Sequence, residues 1–156
     1  MNPLAKEFLE EAYELHMKGE IDEAIELYNK SIEIEPSAQA YTFLGWAYSH
    51  QGKLAKAIKL CLSAIDLDPE FGNPWNDIGA YYIQQGRLDE AIPFLQQATK
   101  AKNYQAYHYP HCNLGRIYSI KRKYREAIAE FRKALEIEPG YKWAAAQLAR
   151  LQAMMN

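Results

Sequence analysis

Apolar and polar positions along the chain recur with helical spacing in short segments. Leu54, Ala57, Ile58, Cys61, Ala64 and Ile65 stand at i, i+3, i+4, i+7, i+10 and i+11, which is one face of an α-helix. The same offsets run over 21–32, 88–99 and 124–135. A second pattern precedes each of the last three: Tyr41, Leu44, Gly45 and Tyr48, then Trp75, Ile78, Gly79 and Tyr82, then His111, Leu114, Gly115 and Tyr118. It too is the stripe of an amphipathic helix. Gly19, Gly52 and Gly86 divide the two kinds of segment, at points where a residue free to take φ > 0 closes one helix and permits a tight turn into the next. The expected unit is a helical hairpin.

The hairpin repeats. Ala24, Ala57, Ala91 and Ala127 are separated by 33, 34 and 36 residues, and Ala12, Gly45, Gly79 and Gly115 show the same three intervals. Leu15, Tyr48, Tyr82 and Tyr118 keep that phase, as do Pro36, Pro69, Asn103 and Pro139. A fixed period in this range is the signature of a stacked repeat array. Small residues in the middle of both helices let the two backbones approach closely. One hairpin exposes an apolar face that it cannot cover alone, so its neighbour must cover it.

These columns resemble the tetratricopeptide repeat. That pattern has a large residue at position 4, Leu at 7, Gly or Ala at 8, Tyr at 11, Ala at 20, an aromatic at 24, Ala at 27 and Pro at 32. The resemblance covers essentially the whole chain and implies an all-α fold: a right-handed α-solenoid of four tetratricopeptide-type helical hairpins plus a C-terminal capping helix. In its frame 1–156 is one domain with repeats at about 5–37, 38–71, 72–107 and 108–141 and the cap at 142–156. Departures are Glu11 at 7, Cys61 and Leu95 at 24, Asn103 for Pro, Arg122 for Gly, His111 at 4, and two extra residues in KNYQAYHYP before the fourth repeat. Pro93, near the start of its helix, is expected to cost at most one hydrogen bond and a mild bend.

Composition narrows the function. A net charge of −2 and a pI near 6.1 give no field that would draw phosphate backbones or anionic lipid, so nucleic acid is not an expected partner. Cys61 and Cys112 are too few and too scattered for a disulfide framework, and reduced thiols in the cytoplasm are expected. No run of apolar residues is long enough to span a membrane and the first residues lack an apolar signal region, so neither insertion nor secretion is expected. There is no Gly-rich phosphate loop, HExxH or nucleophile elbow, and the expectation is a non-catalytic protein without cofactor. His108, His111 and Cys112 lie close in sequence, yet zinc needs further ligands; His111 is read as a packing residue and no metal site is assigned. The KRKYR stretch at Lys121–Arg125 reads as a solvated basic turn.

In the family, positions 2, 5, 9, 12 and 13 of each first helix line a concave groove that holds a partner's peptide. Here they are Lys6, Leu9, Tyr13, His16 and Met17; Gln39, Thr42, Trp46, Ser49 and His50; Asn73, Asn76, Ala80, Ile83 and Gln84; and Tyr109, Cys112, Arg116, Ser119 and Ile120. The capping helix adds Trp143 and Arg150. This set holds no Asp or Glu, and it is rich in Tyr, Trp and Arg, the residue types that dominate binding hot spots. The candidate peptide-binding residues are Tyr13, Trp46, His50, Asn76, Tyr109, Asn113, Arg116, Trp143 and Arg150. The expected partner is a protein segment with apolar anchors and an acidic side chain or C-terminal carboxylate. Asn73, before Pro74, is expected to cap its helix with Pro74 at the first helical position and is left out.

Relatives that grip chaperone C-termini use a set of Lys, Asn and Arg whose positions, counted from the first repeat, hold Leu9, Tyr13, Phe43, Asn73 and Asp77. None matches; counted from the third repeat only Asn113 does, and that specificity is not carried over. The alternative to peptide binding is self-assembly into a homo-oligomer through the last helix, where Trp143, Leu148, Leu151, Met154 and Met155 occupy more than one face.

Overall fold

In a computed structural model describing residues 1–156, nine α-helices form and no strand. They are α1 (Pro3–Met17), α2 (Ile21–Ile34), α3 (Ala38–His50), α4 (Leu54–Leu67), α5 (Gly72–Gln84), α6 (Leu88–Lys100), α7 (His108–Ile120), α8 (Tyr124–Ile137) and α9 (Lys142–Met155). Helices α1 and α2, α3 and α4, α5 and α6, and α7 and α8 pack most extensively as antiparallel pairs, and each second helix also packs on the first helix of the next pair. Helix α9 covers α8. The buried apolar side chains fall into five groups strung along the stack, as expected where each hairpin buries surface only against its neighbours.

Close approach within a hairpin depends on the small residues. A Cβ on Gly79 would lie 2.4 Å from Leu95 Cδ2, and one on Gly115 2.7 Å from the Phe131 ring. Gly45 faces the smaller Cys61, with Sγ 3.3 Å from such a Cβ. Ala24, Ala57, Ala91 and Ala127 are all fully buried. Overlaps below 3 Å force one helix off the other, so neither Gly79 nor Gly115 can carry a methyl group unless Leu95 or the Phe131 ring moves.

Each hairpin turn has a left-handed residue: Gly19, Gly52 and Gly86 at φ 84°, 76° and 75°, and Arg122 at 61°. The next residue's N–H reaches back to the carbonyl of Leu15, Tyr48, Tyr82 or Tyr118, satisfying an orphan carbonyl of the first helix. The basic turn is not simply solvated, because Lys121 Nζ pairs with Asp89 of the preceding hairpin. Pro93 lies inside α6, which continues through it from Leu88 to Lys100.

Two sequence expectations change. Helix α1 starts at Pro3, ahead of the repeat frame, because Asn2 Oδ1 accepts from the N–H groups of Leu4 and Ala5 at 2.8 and 3.1 Å and Pro is well placed at a first helical position. Asn73 does not cap α5: the helix already begins at Gly72, with Phe71 before it and no side-chain cap. The reason lies in the two extra residues. They enter the 101–107 loop, which pairs with the start of α5 as a short parallel bridge of Phe71 with Asn103; Gly72 N–H donates to Asn103 O and Asn103 N–H to Glu70 O, both at 2.9 Å.

Candidate functional site

The first helices α1, α3, α5 and α7 stand side by side along one face of the stack. On that face lies a cavity of about 1140 Å³. Helix α1 supplies Lys6, Leu9, Glu10, Tyr13 and Glu14; α3 supplies Gln39, Thr42, Phe43 and Trp46; α5 supplies Asn73, Asn76 and Asp77; and Tyr109 of α7 and Tyr104 and Ala106 of the 101–107 loop close it. A second cavity of about 410 Å³ follows, lined by Asn76, Tyr109, Cys112, Asn113, Arg116, Tyr141 and Trp143. Asn76 and Tyr109 line both, so the two are halves of one groove crossing the row of first helices.

The wide half has an aromatic wall. Tyr13 and Phe43 rings are 5.3 Å apart, Phe43 and Trp46 6.5 Å, and Trp46 rests 4.1 Å from the His16 ring. Tyr13 is still 41% exposed, so packing against neighbours does not use up its surface. His16 is buried, bonded through Nδ1 to Tyr28 Oη at 3.0 Å and through Nε2 to His50 Nδ1 at 2.9 Å. Burial together with His50 pushes its pKa down to about 4, so it is a neutral strut behind Trp46.

The absence of acids expected from the stripe of positions 2, 5, 9, 12 and 13 does not hold for the groove. Glu10, Glu14 and Asp77 line its wide half, opposed by Lys6 and by the α-ammonium group of Met1; Lys6 Nζ is 3.8 Å from Glu10 on the exposed rim. The physical reason is the helix pitch: position 6, which holds Glu10, Phe43 and Asp77, lies i+4 from position 2 and i−3 from position 9, on the same face. Asp77 is the unusual member. No N–H or O–H of the protein donates to its carboxylate, and partial burial pushes its pKa up to about 7. Burial likewise raises the phenol of Tyr104 beside it.

The narrow half differs in sign. Arg116 is exposed and forms none of the ion pairs in the molecule. Tyr109, Tyr141 and Trp143 stand around it, with Tyr109 and Tyr141 rings 5.9 Å apart and Tyr141 and Trp143 6.4 Å. Asn113 Nδ2 donates to Asn76 Oδ1 at 3.0 Å, tying α7 to α5 at the junction of the halves. Burial raises the Cys112 thiol to about 12, so it lines the wall as an inert small hydrophobe.

Of the nine candidate residues, Tyr13, Trp46, Asn76, Tyr109, Asn113, Arg116 and Trp143 line the groove. His50 and Arg150 do not: His50 holds His16, and Arg150 donates to Gln147 of its own helix at 2.8 Å. Missed were Phe43, Asp77, Glu10 and Glu14, which the 3.6-residue period could have found, and Tyr104, which nothing in the repeat frame places. His111, weighed as a metal ligand, bonds Glu130 across the fourth hairpin at 2.7 Å.

Hairpins stacked with their first helices along one grooved face define a helical-repeat protein. The chain belongs to the tetratricopeptide repeat family: the family's profiles match residues 11–32, 38–71 and 71–139. Proteins of this family mediate protein–protein interaction as scaffolds. The chain is 30% identical over 78 residues to the TPR repeat-containing thioredoxin TTL4 of Arabidopsis thaliana, covering 49% of this chain and 11% of that protein. It is 28% identical over 101 residues to anaphase-promoting complex subunit 7 of Dictyostelium discoideum, 65% of this chain and 17% of that one. It thus spans only a small fraction of the curated relatives' length. Among solved structures, pilF of Pseudomonas aeruginosa superimposes with a TM-score of 0.92 at 22% identity, over 97% of this chain and 69% of that one. YrrB, described as a TPR protein with an unusual peptide-binding site, does so at 0.70 and 21%, over 95% and 76%. At these identities the likeness concerns the fold. No helix is long and apolar enough to cross a membrane.

Proposed function

We propose that the chain is a non-catalytic scaffold that holds a segment of a partner protein along the groove, with an acidic side chain or C-terminal carboxylate of that segment against Arg116. The observation that carries this reading is the continuity of the groove: two cavities share Asn76 and Tyr109, and the run from Tyr13 to Trp143 offers length and aromatic surface suited to an extended or helical peptide. Arg116 supports the acidic end because it is an exposed guanidinium with no carboxylate of its own, set beside Tyr109, Tyr141 and Trp143. The buried free thiols of Cys61 and Cys112 fit a reducing compartment, and cytoplasmic residence is part of the proposal.

The test is selection of binders from a displayed random peptide library on the intact chain. Binding is then titrated through Trp46 fluorescence with Trp75 and Trp143 changed to Phe. Arg116→Ala and Asn76→Ala are expected to weaken the selected peptides at least tenfold. Unchanged affinity in both overturns the reading.

A second reading is self-assembly through α9, favoured by Trp143, Met154 and Met155, which are 39%, 57% and 46% exposed on that terminal helix. Light scattering over a concentration series decides it, since a strict monomer removes it.

A further inference from the structure

The wide half of the groove carries a chemistry opposite to that of Arg116. An aspartate inside a partly buried wall ordinarily has an N–H, a hydroxyl or a cation to accept from, because leaving a carboxylate desolvated and unpaired is costly. Asp77 has none, although its oxygens are not sealed off and open onto the cavity. Its nearest titratable neighbours, Tyr81, Tyr104 and Cys61, are neutral groups whose ionisation it opposes. The remaining charges of this half are Glu10 and Glu14, of the same sign, Lys6, already beside Glu10 at the rim, and the α-ammonium group of Met1, which forms no ion pair with Asp77. Three carboxylates thus face two cationic groups, neither of which pairs with Asp77.

The rest of the wall suits a cation as well. Tyr13, Trp46 and Tyr109 present aromatic surface to the same space, and ring faces attract ammonium and guanidinium groups most strongly where water is excluded. An anion placed there would face three carboxylates; a wholly apolar side chain would leave Asp77 desolvated without a partner.

We propose that the wide half of the groove is a subsite for a basic side chain, Arg or Lys, of the bound peptide, whose head group is accepted by the Asp77 carboxylate within the aromatic wall. This rests on the peptide-groove reading and adds a direction to it. The segment lies with its basic residue over α1, α3 and α5 and its carboxylate over α7 and α9, so that charge complementarity fixes both polarity and register.

The experiment selects the same random peptide library in parallel on the wild-type chain and on Asp77→Asn. The expected result is enrichment of Arg or Lys at one fixed position of the wild-type binders, lost on Asp77→Asn while the other positions keep their preferences. A synthetic wild-type binder in which that Arg is replaced by citrulline, the same shape without charge, is expected to lose at least tenfold in affinity for the wild-type chain and less than twofold for Asp77→Asn. The citrulline loss on the wild-type chain is read without altering the protein, so an undiminished affinity there overturns the subsite even if Asp77→Asn folds poorly.

Wild-type binders with no enriched basic position, or an equal citrulline loss on both chains, overturn the subsite and leave the groove standing. A library that yields no binder sensitive to Tyr109→Ala or Trp46→Ala overturns the groove reading, and this one falls with it. Binding of free agmatine as tight as that of the peptides also overturns it, since the site would then belong to a small amine.

Discussion

His16 Nε2 lies 2.9 Å from His50 Nδ1, and the other nitrogen of the same buried ring lies 3.0 Å from Tyr28 Oη. In either tautomer a neutral His16 completes both bonds, one as donor and one as acceptor; a protonated ring has no lone pair left and becomes a buried charge. Its folded pKa is near 4 against 6.5 in the unfolded chain. Between those values the unfolded state binds more protons, so stability rises with pH across the window and is lost as pH falls from 6.5 to 4. The contribution is on the order of 2 kcal/mol. His16→Gln, which can still meet Tyr28, is expected to remove it. Urea unfolding at pH 4.5 and 7 checks this: an unaltered difference between the two pH values in the variant contradicts the assignment.

Asp77 acts in the same window with the opposite sign. Its folded pKa near 7 exceeds the ordinary 3.8, so the native state holds a proton that the unfolded chain releases, and stability falls as pH rises from 4 to 7. The wild-type profile is therefore flatter than either group alone would make it. Asp77→Asn is expected to stabilise the free protein at pH 8 by about 1–2 kcal/mol and to steepen the acid-side loss caused by His16. A variant that is less stable than wild type at pH 8 would show that the carboxylate is favourably solvated in place. The carboxylate is thus expected to be a cost to the fold, which is the behaviour of a group kept for a ligand.

Arg122 adopts φ 61° at the turn where the other three hairpins carry glycine. A residue with a Cβ loses about 1 kcal/mol in that region, and glycine returns part of the gain by its greater freedom in the unfolded chain. Arg122→Gly is expected to raise stability by roughly 0.5 kcal/mol, read as a higher melting temperature with an unchanged m-value. Destabilisation would mean that the Arg122 side chain holds contacts worth more than the strain.

The repeat architecture was legible because it is written many times. Gly79 against Leu95 and Gly115 against Phe131 are the same contact in successive hairpins, and each copy corroborates the other in sequence. The groove is written once, in residues that differ from repeat to repeat, so only its general stripe could be read. Asp77 lies at position 6, one helical position beyond the stripe of positions 2, 5, 9, 12 and 13, so that stripe does not reach it. Tyr104 and Asn73 were illegible for another reason: both depend on where two inserted residues fold, and a loop that pairs with a distant helix start leaves no periodic trace. His50 and Arg150 were placed on the wall by their positions, but each is drawn to a partner that the repeat frame does not specify.

That loop sets the last prediction. Gly72 opens α5, and a Cβ there would lie 2.5 Å from Tyr104 Cγ. The loop is held by Gly72 N–H on Asn103 O, by Asn103 N–H on Glu70 O, and by the Tyr104 ring packed with Tyr107 at 5.3 Å. Gly72→Ala must therefore push Tyr104 out of the groove wall or shift α5, at a cost of about 1–3 kcal/mol. Tyr104→Ala alone removes a buried ring and also destabilises. With both changes the clash is gone, so the double variant is expected to be more stable than the sum of the single effects predicts, by at least 1 kcal/mol. Hydrogen exchange at the Asn103 amide should quicken in Gly72→Ala, because displacing the ring loosens the bridge to α5. Strict additivity in the unfolding measurements, with exchange at Asn103 unaltered, would mean that the loop does not brace the groove and that Tyr104 reaches the cavity independently of Gly72.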